Sequence, residues 1–395
     1  MTTLISFLGR SRKDPATGYQ RATYAFPDGK QVPTAFFGAA LMQRLRPQRT
    51  LLLGTAGSMW DVLDIDVEST EWIELAEATE QSDVTQPLLD RVSSCTRGAM
   101  AGAELVLIPY CRNEVEQMVL LADLAARVDV GENVVLDITH GFRHLPMLAL
   151  VAARYLAHVR KAVVSDIYYG ALDMTTRGIT PVVKLDGLLR MLDWIEAFAA
   201  FDASGNYGRF APLLQHDGMS AKSAAQLALA AHLERVTNSP DARAKITPLL
   251  GKIEPRGGAT RLFAAQLSQR LAWARLDRRD ARELALFEAY LAREDFIRAA
   301  IYLQESVISA VCFGDRLDGN DHAQRETARE KLKEGASFRA LSDIRNMLAH
   351  GTASGDQSSR AKAAASSTAT AASLRSELRR LADLLAQVAS KSRSD

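Results

Sequence analysis

Five short runs rich in β-branched residues and leucine punctuate the first half of the chain: TLISFLG (3–9), RTLLLG (49–54), ELVLIP (104–109), NVVLD (133–137) and VVSDIYYG (163–170). Longer stretches with helical spacing lie between them, at 34–46, 58–67, 112–128 and 142–161. Such alternation predicts βαβ units and a mostly parallel sheet with helices on both faces. YQRATYAFPDGKQVP (19–33), with its Pro-Asp-Gly-Lys turn, predicts an added hairpin. The acidic stretch ESTEWIELAEATEQSD (68–83) reads as a solvated helix and suggests no function.

Beyond residue 185 the strand-like runs vanish. LLRMLDWIEAFAAF (188–201), AAQLALAAHLERV (224–236), RLFAAQLSQRLAWARL (261–276), residues 281–312 and SFRALSDIRNMLAHG (337–351) all carry helical periodicity. Breaks fall at DASGNYG (202–208), TNSPD (237–241), EPRGG (254–258) and GDRLDGND (314–321). Residues 352–373, rich in Ser, Ala and Thr, are expected to be mobile, with a closing amphipathic helix around 374–391. No internal repeat is visible. The expected fold is an α/β Rossmann-like N-terminal domain, residues 1–185, followed by an all-α C-terminal domain, residues 186–395.

Composition narrows the function. Apolar residues make up 47% and charged residues 24% of the 395, as in an ordinary soluble globular protein. A formal net charge of +1 excludes a global electrostatic footprint for gripping a long nucleic acid, so such a substrate would be held locally in a cleft. Cys95, Cys111 and Cys312 are odd in number and lack CxxC spacing, which argues against a disulfide framework and for a reducing cytoplasm. MTTLISFLGRSRKD lacks a basic region before its apolar run, so no signal peptide is expected. The apolar stretch LPMLALVAA (145–153) is too short to span a bilayer, and no membrane partner is expected.

In an open parallel sheet, ligands bind beyond the carboxyl ends of the strands. Three loops qualify: GRS (9–11), GTAGSMW (54–60) and DITHGFRH (137–144). The second is expected to open a helix at Ser58, where backbone amides could receive an anion. None matches a P-loop or a GxGxxG fingerprint, so the loops suggest a nucleotide-like or phosphate-bearing ligand without implying ATP or NAD. DITHGFRHLP (137–146) admits three readings. Asp137 caps the following helix, Gly141 permits a tight turn and Pro146 enters the first helical turn. Alternatively His140 and His144 bind zinc at i,i+4, although the Glu of an HExxH helix and a third ligand are missing. In the third reading Thr139, His140 and Arg143 are donors facing phosphate or ribose, with Asp137 orienting them.

SDIRNMLAHG (342–351) is the second concentration of chemistry. Arg345 and His350 have the R-x4-H spacing of metal-independent ribonuclease helices. Arg209–His216 and Arg316–His322 also fit an R-x4–6-H pattern, but the first contains Pro212 and the second spans a loop. Arg345–His350 lies on a predicted helix that Gly351 would cap, and Asn346, four residues before His350, shares its face. Histidine transfers protons near neutral pH, and arginine stabilises charge building on a phosphoryl group attacked by RNA's own 2′-hydroxyl. Two copies across a two-fold axis would supply two of each around one phosphate. The plainer reading is a helix-terminal histidine that favours the C-terminal dipole beside a surface arginine.

Taken together, these motifs carry a resemblance. DITHGFRHLP resembles the DxTHG signature of a family of CRISPR-associated proteins, and FLGRS, LLLGTAGSMWD and FDASGNYG resemble further stretches of it. IRNMLAHG resembles the catalytic R-x4–6-H helix of HEPN nucleases. The order is also similar: a Rossmann-type CARF sensor, then a helical HEPN domain, with connecting helices at about 186–280 and nuclease helices at about 281–395. The likeness covers most of the chain and is thinnest at 70–100 and 210–280.

The resemblance implies an ancillary effector of type III CRISPR immunity. A cyclic oligoadenylate would bind between the CARF domains of a homodimer or a higher assembly of dimers. HEPN helices would then cut single-stranded RNA without a metal, leaving a 2′,3′-cyclic phosphate. By the same resemblance Gly54, Thr55, Ser58, Thr139, His140, Gly141 and Arg143 become ligand contacts, joined by Gly9, Arg10, Ser11 and the orienting Asp137. Arg345, Asn346 and His350 become the nuclease site. No cofactor is implied, and the tetra-adenylate is favoured over the hexa-adenylate. Some CARF domains degrade their activator, and Ser11, Thr139 or His140 would be placed to contribute. Two rivals remain at this stage: a nucleotide-sensing module whose helical half only dimerises or docks a partner, and a metal hydrolase centred on His140 and His144.

Overall fold

The leucine-rich and β-branched runs pair side by side. The structure is a computed structural model that describes residues 1–11, 13–14, 18–142, 144–253, 258–350 and 359–391. Its strands are β1 (Thr2–Leu8), β2 (Lys13–Asp14), β3 (Gly18–Tyr19), β4 (Ala22–Ala25), β5 (Gln31–Thr34), β6 (Arg49–Gly54), β7 (Glu104–Leu107), β8 (Asn133–Asp137), β9 (Val163–Gly170) and β10 (Ile179–Lys184). Strands β2 and β3 form a small ladder of their own, and the other eight form one sheet in the order β5-β4-β10-β9-β8-β1-β6-β7. The five strands from β9 to β7 are all parallel. Within them the chain starts in the middle at β1, adds β6 and β7 on one side, then returns to add β8 and β9 on the other. The topological switch point therefore lies between β1 and β8, where a crevice opens beyond the strand ends.

Helices α1 (Phe37–Leu45), α2 (Thr70–Gln81), α3 (Gln86–Ser93), α4 (Glu114–Arg127) and α5 (Leu145–Val159) accompany this sheet. Leu4, Ile5, Leu51, Leu52 and Leu53 are fully buried although neighbours along a strand point to opposite faces, so both faces are covered. The expected hairpin forms as β4 and β5 around Pro27, Asp28 and Gly29. It joins the main sheet through β10, which runs antiparallel to β9 and parallel to β4. Strand β10 was not anticipated because Pro181 interrupts its apolar run. Its missing donor is tolerated, while its carbonyl accepts from Ala171 N–H at 3.0 Å.

The helix expected at 58–67 is replaced by a single 3-10 turn, Trp60–Val62. Tertiary contacts override helical spacing here: the Trp60 ring is fully buried and its indole N–H donates to Thr55 O at 2.8 Å. The next helix, α2, starts only where the Ser69 side chain caps it by accepting from Trp72 N.

The chain folds as two units, Met1–Leu188 and Leu189–Asp395. Among the described residues the second is built of helices: α6 (Asp186–Ser204, beginning in the first unit), α7 (Ala211–His216), α8 (Ala221–Arg235), α9 (Ser239–Leu250), α10 (Thr260–Arg270), α11 (Arg279–Ala292), α12 (Phe296–Gly314), α13 (His322–Lys333), α14 (Ala336–His350), α15 (Ser359–Ser367) and α16 (Ala371–Lys391). One hydrophobic cluster runs from Trp194 to Leu385, so the helices before and after residue 280 share a core. Helix α12 is long and apolar enough to cross a membrane by composition, yet 67% of its apolar window is buried, which makes it the core's central rod. Within the Ser/Ala/Thr-rich stretch expected to be mobile, residues 352–358 lie outside the described residues. Residues 359–367 are instead helical, since alanine carries little helix penalty and Ala364 is buried.

Candidate ligand and nuclease sites

At the switch point, Ser6 of β1 and Asp137 of β8 face each other in register, and both are fully buried. The Ser6 hydroxyl donates to Asp137 Oδ2 at 2.6 Å, and Thr139 N–H donates to Oδ1 at 2.9 Å. Asp137 thus ties strand to loop. It does not cap the following helix: α5 has His144 before it, with no side-chain cap, and Pro146 in its first turn. Burial pushes the Asp137 carboxyl up to about 6, partly offset by the hydrogen bonds from Ser6 and Thr139.

The rest of the loop is similarly engaged. Thr139 Oγ1 accepts from Gly170 N–H at 2.7 Å. His140 Nε2 accepts from Phe37 N–H at 3.1 Å, and its ring tilts against Phe36. Burial pushes the His140 imidazole down to about 4, so it is neutral at physiological pH. Gly141 has φ +119°, a conformation that L side chains rarely adopt. A Cβ on Gly9 would stand 2.2 Å from the Gly141 nitrogen, so the loops after β1 and β8 interlock backbone to backbone.

The loop after β6 closes the same way. Ser58 Oγ donates to Leu8 O at 2.6 Å and accepts from Thr55 N–H at 2.9 Å. Ser58 N–H donates to Thr55 O and Met59 N–H to Gly9 O. The amides expected to receive an anion are therefore occupied, because the segment turns instead of opening a helix. Thr55 and Ser58 are each 2% exposed, and a Cβ on Gly54 would strike the Trp60 ring at 2.5 Å. Gly54, Thr55, Ser58, Thr139 and His140 shape the loops. Toward solvent stand Arg10, half-buried Ser11, Gly141, Phe142 and His144. Arg143 lies outside the described residues.

Sequence reasoning passed over Phe142 in favour of its polar neighbours. Its ring is 44% exposed and lies between Tyr110, at 5.7 Å, and His144, at 5.9 Å. The Arg112 guanidinium covers Tyr110 at 4.4 Å. An exposed aromatic ring is suited to stacking a nucleobase. His144 Nε2 is 2.9 Å from Tyr110 O, so His140 and His144 turn to different neighbours. The described residues hold no group of three His, Cys, Asp or Glu placed for a metal.

In the second unit, α14 buries Phe338, Leu341 and Ile344 and leaves Asn346 and His350 exposed. Ser342 accepts from Gln304 of α12 at 3.2 Å, which fixes the helix on the core. Arg345 is half-buried, and its Nε has no hydrogen-bond partner among the described residues. Gly351, the expected cap, lies outside them. The three nuclease candidates share one helix, with Asn346 and His350 one turn apart. Arg345 stands roughly 140° around the axis from His350. The competing pairs share none: Arg209 sits in a 3-10 turn ahead of α7, and Arg316 adopts φ +60° in the loop before α13.

Residues 3–172 match the family described as CRISPR system endoribonuclease Csx1, CARF domain. A CRISPR-associated protein of Methanocaldococcus jannaschii is 27% identical over 228 residues, which cover 50% of this chain and 35% of that protein. The match thus spans about a third of the curated relative's length. The sheet, the switch point and its loops are CARF-like, a kind of domain that senses ligands in CRISPR defence, and a helical unit follows them.

Proposed function

We propose that the chain is a cyclic-oligoadenylate-activated, metal-independent endoribonuclease of type III CRISPR defence. The observation that carries this reading is a CARF-like unit on the same chain as a helix bearing Arg345, Asn346 and His350, where Arg345 Nε is buried and has no hydrogen-bond partner among the described residues. In the proposed reaction the RNA 2′-hydroxyl attacks the adjacent phosphate. His350 transfers the proton, Arg345 stabilises the phosphoryl oxygens, and Asn346 orients the phosphate or the imidazole. One helix supplies a single arginine and a single histidine, so the active unit is a homodimer in which two α14 helices flank one phosphate. The ligand activates by binding better to the arrangement that aligns those helices.

The test incubates labelled single-stranded RNA with the full chain in chelator, with and without cyclic tetra- and hexa-adenylate. Ligand-dependent cutting that leaves 2′,3′-cyclic phosphate ends is expected. Products ending in 3′-hydroxyl, or cutting only when divalent metal is restored, would overturn the mechanism. Ligand binding without cutting under any condition would favour a sensor module whose helical unit docks a partner.

A further inference from the structure

Residues 29–60 contain no Asp or Glu but carry Lys30, Arg44, Arg46 and Arg49, in a chain whose 48 Lys and Arg are otherwise matched by 47 Asp and Glu. The fold gathers these four cations at one place. Helix α1 begins beside the ligand loop, where Phe37 N–H meets His140. Its nine residues carry the chain about 13 Å away from that loop. Two recesses flank the last turn. One, of about 800 Å³, is lined by Lys30 and Val32 of the β4–β5 hairpin, Arg44, Leu45 and Tyr168. The other, of about 430 Å³, is lined by Gln48 and Arg49 before and at the start of β6, and by the small residues Ala101 and Gly102. They meet at Gln43 and Arg46, which line both, and among the described residues no carboxylate lines either.

Two of the four cations are neutralised from outside the groove. Arg44 pairs with Asp28 at 2.7 Å and Arg49 with Glu104 at 2.8 Å. Lys30 and Arg46 are exposed and have no ion pair among the described residues. Arg46 also adopts φ +45° at the C-terminus of α1, with its N–H donating to Met42 O at 3.0 Å. Glycine holds that left-handed position with least strain, and arginine there sets a guanidinium where the two recesses meet. A groove with two unneutralised cations on an almost neutral chain fits an extended polyanion, since each phosphate it neutralises releases condensed counterions. Its aromatic lining residue, Tyr168, is 6% exposed, too little of a ring for a base to stack on. Contacts here would go to the phosphate backbone and carry no base preference.

We propose that this groove is an accessory hold for substrate RNA, in which Lys30 and Arg46 neutralise phosphates of the single strand. This rests on the nuclease reading above and adds where a chain of net charge +1 grips a long RNA. Fluorescence anisotropy on the full chain, in chelator and over a range of salt, would compare labelled oligouridylate, labelled oligocytidylate and a labelled polyglutamate peptide. The peptide stands for an acidic protein segment, the other polyanion such a groove could take.

Lys30→Gln combined with Arg46→Gly should weaken binding of both RNAs roughly 10- to 25-fold. It should also lower the slope of log affinity against log salt by about 1.4, as for two lost phosphate contacts on a single strand. Arg46→Gly alone should weaken binding roughly 3- to 5-fold while leaving the melting temperature unchanged or higher, an outcome that damage to the fold would not give. Arg46→Lys, which keeps the charge, should retain most of the affinity. In ligand-activated cleavage the double variant should raise KM more than it lowers kcat. RNA bound and cut equally by wild type and double variant would overturn the groove and leave the nuclease reading standing. RNA binding weakened in the double variant of a chain that cuts no RNA under any condition would do the reverse. Polyglutamate held by wild type and released by the double variant, with RNA binding unchanged, would overturn RNA as the occupant.

Discussion

The loops at the switch point and the exposed face of α14 are both rich in polar side chains, but they use them in opposite ways. Around β1 and β8 the polar groups face one another: Ser6 with Asp137, Thr139 with Gly170, His140 with Phe37 N–H, and Ser58 with Leu8 O. On α14, Asn346 and His350 stand exposed and Arg345 Nε has no partner among the described residues. A receiver benefits from loops fixed before the ligand arrives, since ordering them on binding would cost affinity. A reacting group must instead keep its donors and acceptors available for the substrate. Density of polar residues therefore locates both regions, and only the hydrogen-bond partners tell them apart.

The contrast is tested most strongly at its unpartnered end. His350→Ala should lower ligand-activated RNA cleavage by at least about 10²–10⁴-fold while changing cyclic oligoadenylate affinity and melting temperature little. A parallel loss of ligand affinity would show that the two roles were assigned to the wrong regions. At the interlocked end, stability should suffer first. Gly9→Ala places a Cβ against the backbone nitrogen of Gly141, which no rotamer change relieves, and should cost roughly 2–4 kcal/mol in denaturant unfolding. Gly187→Ala, where a Cβ meets nothing, is the control and should be neutral or slightly stabilising. Equal effects at the two glycines would mean that the loops are not held together as described.

Much of the first unit was legible because a parallel sheet leaves a strong periodic trace: buried runs such as NVVLD, separated by amphipathic helices, admit few topologies. The failures share a cause. Residues 58–67 have helical spacing, but Trp60 is drawn under Gly54 and stops the helix at one turn. Pro181 hid β10. Asp137 and His140 stand out in the sequence, yet their partners, Ser6 and Phe37, lie 131 and 103 residues away, and no local pattern encodes that pairing. The acidic helix α2 reads as merely solvated in the sequence because the cleft it walls is completed by distant residues, Arg10, Ser11, Lys13 and Tyr19 on one side and Gly57, Met59 and Asp61 on the other. On α14 the sequence was enough to place Arg345, Asn346 and His350, since one helix positions all three.

The interlocked loops should also announce themselves through pH. Asp137 has a folded-state value raised from 3.8 to about 6, so the folded state binds this proton more tightly, and the carboxyl's contribution to stability is lost as pH rises across that interval. His140 is lowered from 6.5 to about 4, so its contribution is present above 6.5 and is lost as pH falls. The two oppose each other over the same range, each by up to about 3 kcal/mol. Asp137→Asn should therefore gain stability relative to wild type from pH 4 to pH 6, and His140→Gln should lose it over the same rise. Chemical denaturation at four pH values reads both slopes. Curves parallel to wild type for both variants would mean that neither group is buried as the loop geometry requires.

The smallest expected effect bears on the one place where the receiver resembles α14. Phe142 is a large apolar side chain of the loop after β8 that stays exposed, and its ring neighbours among the described residues are Tyr110, with Arg112 above it, and His144. If the buried polar groups hold the loops, recognition there must rely on what they leave exposed, and the Phe142 ring offers a face for stacking. Phe142→Ala should therefore weaken cyclic oligoadenylate binding roughly 5- to 30-fold, within the range for one base stacked on an aromatic ring. Phe142→Tyr should preserve it, and the melting temperature should hold in both because no core contact is removed. On the proposed function, cleavage should then respond only through occupancy: cleavage by Phe142→Ala at saturating ligand should equal wild type, with the midpoint shifted. A reduced plateau at saturation would instead make Phe142 part of the coupling between ligand and α14, and the separation of receiver from reacting helix would no longer hold at this residue.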